Sequence, residues 1–227
     1  MAAYMRDQFD FLGVKTPERR QLTAPVQRLS KQLSLEELSQ WLAFYYQQPY
    51  REYQYVAIDL ALANVRRLTP EQIQWCVQQV TVKPWWDSVD AWRKVIATWI
   101  FQHSALADCG AQFLTADDLW LRRVGITLQL GQKGATDKKY LRRAIELNHT
   151  DNDFFIQKAI GWALRDYAKT DPAWVKATLA TVPLSKLAQR EAQKHLKKWE
   201  WDKRRFATEH SLGIRMIVHF QSFVFRS

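Results

Sequence analysis

Ser34-Leu35-Glu36-Glu37-Leu38-Ser39-Gln40-Trp41-Leu42 reads as the start of an amphipathic helix. A serine at the cap and a glutamate three residues later can each bond the other's backbone N–H, which satisfies two of the donors that a helix start leaves open. Thr69-Pro70-Glu71-Gln72 repeats the signal in looser form. Thr16-Pro17-Glu18 sets a cap before a proline at the first helical position, and Asp171-Pro172 and Ser185 mark further starts. Apolar spacing after these starts predicts helices over 3–12, 17–31, 35–47, 51–67, 70–82, 86–103, 117–131, 137–147, 153–169, 172–182 and 186–199. Pro25 is expected to kink the second of these or delay its start. The first members of successive pairs begin near 17, 51, 86, 117, 153 and 185, at intervals of 31 to 36 residues. That period is the mark of a helix-pair repeat, an α-solenoid. Identity between the repeats is weak, so an irregular all-α domain is the alternative. A solenoid curves and offers a concave face suited to a rod-like partner such as a duplex.

Bulk composition agrees with an all-α chain. Gly and Pro number 7 each in 227 residues, about half their average usage, which argues against linker-rich and turn-rich β architectures. Hydrophobic residues at 47% allow a substantial core. No apolar run reaches the ~18 residues of a membrane span. The 11 Trp and the net charge of +10 stand out. Residues 1–113 carry 12 Lys/Arg against 11 Asp/Glu, and residues 114–227 carry 21 against 12. A basic half is an electrostatic footprint for polyanions, although solubility alone also accounts for surface charge.

Several reaction classes find no motif. Cys76 and Cys109 have no CxxC spacing, and the five histidines lack metal-ligand spacing, so neither a metal nor a disulfide framework is expected. A glycine-rich phosphate loop and GxSxG are both absent, and no cofactor is expected. The N-terminal residues lack a signal-peptide pattern. A reducing, cytoplasmic setting is the expectation. No obligate protein partner is expected, and the chain is read as a monomer.

The informative residues lie off the apolar stripes. In helix 86–103 the stripe is Val89, Trp92, Ile96 and Trp99, with Trp86 and Asp90, i and i+4 neighbours, roughly 100° or more away. A solvated acid beside a surface tryptophan is the other reading of that pair. In helix 153–169 the stripe is Ile156, Ile160, Ala163 and Tyr167. Trp162 points roughly 140° from it, among Lys158, Arg165 and Asp166, as a stacking platform for nucleic acid or a packing face between repeats. In helix 117–131, Arg123 borders the stripe of Trp120, Leu121, Val124 and Leu128. It can reach into a groove or pair with Asp90, whereas Arg122 points nearly opposite, to solvent. Lys138, Lys139, Arg142, Arg143, Lys158, Arg165, Arg190, Lys194, Lys197 and Lys198 fit phosphate contacts as a set, though each alone reads equally as a solvated charge.

Three blocks carry a resemblance. Trp85-Trp86-Asp87-Ser88-Val89-Asp90, Leu119-Trp120-Leu121-Arg122-Arg123 and Phe154-Phe155-Ile156-Gln157-Lys158-Ala159-Ile160-Gly161-Trp162 resemble the AlkD family of HEAT-like-repeat DNA glycosylases. Phe11 to Arg20, Arg51-Glu52-Tyr53-Gln54 and Pro183-Leu184-Ser185-Lys186 support it, from about Tyr4 to Lys198. The resemblance implies a curved solenoid of HEAT-like helix pairs cradling duplex DNA in a concave basic groove. It also implies excision of cationic N3- and N7-alkylpurines such as 3-methyladenine and 7-methylguanine. By that likeness Asp90 is the catalytic carboxylate, Trp86 and Trp162 are the cleft tryptophans and Arg123 is the cleft arginine. Tyr4 lies on the DNA-binding surface, and Lys158, Arg165, Arg190 and Lys194 are the expected phosphate contacts. The chain starts later than the family pattern, is longer over Ser185–Arg190, and leaves the pattern from about Glu200. One glycosylase domain over 1–199 and a tail over 200–227 is the expected organisation, with a strand-like stretch at 214–220. A non-catalytic helical-repeat DNA-binding protein and a protein-binding HEAT scaffold are the rival readings.

Overall fold

The computed structural model describes residues 2–196, and within them all regular secondary structure is helical, with no strand. The helices are α1 (Thr16–Ser30), α2 (Leu35–Gln47), α3 (Arg51–Asn64), α4 (Pro70–Gln79), α5 (Trp86–Gln102), α6 (Leu106–Leu114), α7 (Leu119–Thr127), α8 (Lys138–Asn148), α9 (Phe154–Tyr167) and α10 (Pro172–Thr181). A further helix, α11, begins at 186 and is described to 196. First members of pairs therefore begin at 16, 51, 86, 119, 154 and 186, a spacing of 32 to 35 residues. The tail over 200–227, its strand-like stretch, and Lys197 and Lys198 lie outside the described residues.

Local chemistry sets most of these boundaries. Both halves of the capping box form at Ser34–Glu37 and again at Thr69–Gln72. Asp118, Asp137, Asp153 and Asp171 cap α7 to α10 by accepting backbone N–H bonds. The expected helix over 3–12 is instead one 3-10 turn, Ala3–Met5, which Arg6 and Asp7 end in left-handed backbone conformation. The α6 helix was not expected, because Ala105 at its start offers no side-chain cap and Gly110 interrupts its pattern. The α1 helix continues through Pro25 and begins no later than expected.

The chain divides into two compact units, one up to Gln129 and one from Leu130. In the first, α1, α3, α5 and α7 pack in a row, and α2, α4 and α6 pack against α3, α5 and α7 respectively. This is the stacking of a helical repeat, in which each pair buries its apolar face on the next. Trp92 is fully buried at the centre, edge-on to Trp75 and against Tyr46. Truncating such a core tryptophan costs about 3–5 kcal/mol. The Tyr46 hydroxyl, with one proton to give, lies within hydrogen-bond reach of both the Gln79 and Val82 carbonyls and so ties off the end of α4. At Gly125 the α6–α7 contact is close: a Cβ there would lie 2.8 Å from Leu114 and Phe113 side-chain atoms.

Arginine–aspartate pairs also tie this row. Arg19 on α1 bonds Asp59 on α3, Arg51 on α3 bonds Asp87 on α5, and Arg123 on α7 bonds Asp90 on α5. In the first two the earlier helix supplies the arginine; in the third it supplies the carboxylate.

In the second unit α9 packs on α8 and α10, with Ile156, Ile160, Leu164 and Tyr167 buried and Tyr167 edge-on to Trp174 of α10. A Cβ on Gly161 would lie 2.5 Å from Glu191 Cβ and 2.8 Å from the Ala188 carbonyl, so α9 and α11 approach there as closely as glycine allows.

Candidate functional site

The α5 helix opens at Trp86, and its buried side is wider than the predicted stripe: Ser88, Val95 and Ile100 join Val89, Trp92, Ile96 and Trp99. Trp86 and Asp90 stay on the half-buried flank. The α7 helix, capped by Asp118, delivers Arg123 to that flank. Arg123 Nε donates to Asp90 Oδ1 at 2.9 Å and Nη2 donates to Oδ2 at 2.8 Å. Two parallel bonds from a rigid guanidinium fix both position and plane of the carboxylate. The arginine side chain is 5% exposed and the aspartate 19%. Of the two positions the sequence allows Arg123, the structure takes the pairing with Asp90. Asp90 is thus a half-buried carboxylate held on both oxygens and left partly exposed. Tyr4, 74% exposed, meets Trp86 edge-to-face with ring centroids 5.8 Å apart.

A second set of residues, not singled out by helical-wheel reasoning, fixes the start of α5. Arg51 Nε and Nη2 donate to the two Asp87 carboxylate oxygens at 3.0 and 2.8 Å, Nη2 to Ser88 Oγ at 2.7 Å, and Nη1 to the Lys83 carbonyl at 2.8 Å. The Tyr55 hydroxyl donates to Asp87 at 2.5 Å. Burial raises the Asp87 pKa, but Arg51 and the Tyr55 bond outweigh it, and the carboxyl sits below its ordinary value. Burial, and then the hydrogen bond to Asp87 and its charge, push the Tyr55 phenol upward. Arg51 also lies over the Phe9 ring at 3.8 Å. Its backbone N–H donates to the Asp10 carbonyl, while Glu52 accepts from the Leu12 and Gly13 N–H groups. The signal for this set was the Arg51-Glu52 block; its partners are 32 or more residues away in sequence, or in the irregular segment before α1.

In the second unit, the buried side of α9 also takes in Gln157, Ala159, Gly161 and Leu164. Trp162 remains half-buried at the middle of the opposite side. Lys158 is exposed and lies over the Phe154 ring at 5.2 Å. Arg165 bonds Glu191 at 2.9 Å and Lys194 bonds the same carboxylate at 2.6 Å. Lys194 foremost, with Arg165 and Lys158, holds Glu191 below its ordinary pKa against the opposing effect of burial. Arg190 is exposed on α11. Lys158, Arg165 and Lys194 therefore form a positive cluster around the buried Glu191, to which Arg190 is adjacent in sequence. Among the described residues, no group of three or more His, Cys, Asp or Glu is placed to hold a metal ion. No described helix is long and apolar enough to cross a membrane.

The described residues are all-helical and pack as helix pairs within each unit, with the Asp90 carboxylate held by Arg123 one turn from the half-buried Trp86, which defines a helical-repeat protein. Residues 1–196 match the family described as DNA alkylation repair enzyme, and the chain belongs to that family. A predicted DNA alkylation repair enzyme from Enterococcus faecalis is 47% identical, with 86% of this chain and 92% of that one covered and a TM-score of 0.85. AlkD2 from Streptococcus mutans superposes at a TM-score of 0.65 with 19% identity, covering 85% and 96%. The protein smu.31 from Streptococcus mutans UA159 does so at 0.59 with 17% identity, covering 78% and 97%. At those identities the last two show the fold alone. No curated protein sequence matches the chain. Family membership implies a DNA substrate.

Proposed function

We propose that this protein is a monofunctional DNA glycosylase that hydrolyses the N-glycosidic bond of cationic N3- and N7-alkylated purines in duplex DNA. The observation that carries the reading is the Asp90 carboxylate, clamped on both oxygens by Arg123, still partly exposed, and one helical turn from Trp86. Alkylation at N3 or N7 places a positive charge on the purine, so the base departs neutral without further protonation. The general acid of an ordinary glycosidase is not needed. Charge develops on the deoxyribose instead, and one preoriented carboxylate stabilises that cation and orients the attacking water. Trp86 adds a cation–π attraction of roughly 0.5–2 kcal/mol to the charged nucleotide. Trp162 offers a stacking face to the DNA, and Lys158, Arg165, Arg190 and Lys194 contact phosphates; Tyr4 borders the substrate beside Trp86. The protein works as a monomer on the bacterial chromosome in the cytoplasm, and the chemistry calls for no metal, nucleotide cofactor or Schiff-base lysine.

The test is release of 7-methylguanine from methylated duplex DNA. Asp90→Asn is expected to slow release about 10²–10³-fold while duplex binding persists. Full activity in that variant removes Asp90 from the role, and a wild type that binds duplex without releasing base favours the non-catalytic reading. Duplex affinity is expected to fall steeply between about 50 and 200 mM salt, as phosphate contacts require; a flat response removes the groove.

A further inference from the structure

The Arg51 guanidinium is fully buried, and four of its contacts fall on the six residues that lead into α5 and form its first turn. An arginine that only held α3 to α5 would need one carboxylate. This one spans the turn: the Lys83 carbonyl lies before the helix, and Asp87 and Ser88 lie inside it. Pro84, Trp85 and Trp86 lie between the points it grips, so their backbone path is fixed from both sides. Trp86 is the first residue of the helix, and Asp90 follows one turn later on the same flank. The other face of the guanidinium carries Phe9, and the adjacent backbone and Glu52 hold Asp10, Leu12 and Gly13. The segment that brings Tyr4 to Trp86 and Arg6 over Trp85 at 5.9 Å is thus anchored on the same two residues of α3.

We propose that Arg51, with Tyr55, is a positioning residue for base release: through Asp87, Ser88 and Lys83 it sets the start of α5 so that Trp86 and Asp90 present to the substrate in register. The inference rests on the glycosylase reading. Arg123 fixes the Asp90 carboxylate itself, whereas Arg51 fixes the helix turn from which Trp86 and Asp90 both project. Tyr55 completes the grip by bonding the Asp87 oxygen that Arg51 Nε also reaches. A lysine keeps the charge of Arg51 but cannot reproduce the fork on Asp87 together with the bonds to Ser88 and Lys83.

The experiment compares the full chain with Arg51→Lys, Tyr55→Phe and Ser34→Ala, the last removing a helix cap on α2. Each is read by single-turnover release of 7-methylguanine, duplex affinity, thermal unfolding, and the ¹⁹F signal of Trp86 in 5-fluorotryptophan-labelled protein, assigned with Trp86→Phe. Arg51→Lys is expected to slow release about 10–100-fold, the scale of a misplacement near 1 Å. Tyr55→Phe is expected to slow it about 3–10-fold, since it loses one hydrogen bond and keeps its ring. In both, duplex affinity stays within about twofold and the Trp86 signal moves, a split that marks lost transition-state stabilisation and not lost binding. Ser34→Ala lowers the unfolding temperature and leaves rate and signal unchanged. Unchanged release in the two folded site variants, or an unmoved Trp86 signal, overturns the positioning role while the glycosylase reading stands. If Arg51→Lys does not fold, Tyr55→Phe alone decides. A wild type that releases no base overturns the glycosylase reading and the positioning role with it.

Discussion

Asp87 and Asp90 lie three residues apart on α5, and each is gripped on both carboxylate oxygens by an arginine from a neighbouring helix. Their surroundings differ. Asp87 is 8% exposed, takes a further bond from Tyr55, and its arginine is wholly buried. Asp90 is 19% exposed and stands one turn from Trp86. An identical chemical pair is therefore a structural tie in one place and a candidate reaction centre in the other. The pairs differ in exposure of the carboxylate and not in the ion pair itself. The two arginines also arrive from opposite directions along the row of helices, Arg51 from the earlier repeat and Arg123 from the later one.

The largest effect that separates the two acids is on stability. Asp87→Asn leaves the fully buried Arg51 without its charge partner, and is expected to destabilise the fold by about 3–5 kcal/mol. Asp90→Asn is expected to cost less stability, because water reaches its carboxylate; urea unfolding of both variants measures the difference. Equal losses would mean that exposure does not distinguish the pairs.

The next effect carries the comparison to the second unit, where Glu191 gathers Arg165 and Lys194. Gly161→Ala drives a Cβ into Glu191 and Ala188, and is expected to cost about 1–3 kcal/mol as α9 and α11 are forced apart. Because the displaced acid carries two of the cations assigned to phosphates, duplex affinity is expected to fall along with thermal stability. Unchanged affinity would detach that cluster from DNA binding.

A smaller effect appears with pH. The folded Asp87 pKa lies below its unfolded value, so its stabilisation is present above the ordinary carboxylate range and is lost as pH falls through the folded value. The urea midpoint is expected to drop as pH falls from about 5 toward 2, and Asp87→Asn is expected to flatten part of that slope. Glu191 and Asp171, also held low, contribute to both curves, so the difference between the curves isolates Asp87. The smallest effect is that of Ser34→Ala, about 1 kcal/mol from a lost cap, without a change in base release.

The helix-pair period was legible because caps and apolar spacing are local signals. Ser34–Glu37 and Thr69–Gln72 form the predicted boxes within four residues of chain. The α6 helix was not legible, because it begins at an alanine without a side-chain cap and is held by packing on α7 at Gly125. The turn at Ala3–Met5 was misread as a longer helix because its left-handed residues, Arg6 and Asp7, carry no glycine to announce them. Wheel geometry isolated Trp86, Asp90 and Trp162 because each departs from an apolar stripe. It left the fate of Arg123 open, since a residue bordering the stripe can turn to solvent or to a partner.

The sequence by itself determined the all-α class, the repeat, the basic second half and the flank on which Trp86 and Asp90 stand. Each of these follows from periodicity, capping or charge count, which are properties of neighbouring residues. Tertiary structure alone decided that the Asp90 side chain keeps more exposure than that of Asp87, 19% against 8%, and that Arg51 fastens the start of α5. Those outcomes depend on atoms 32 to 37 residues apart in the chain, brought within 3.0 Å by the packing of α3, α5 and α7.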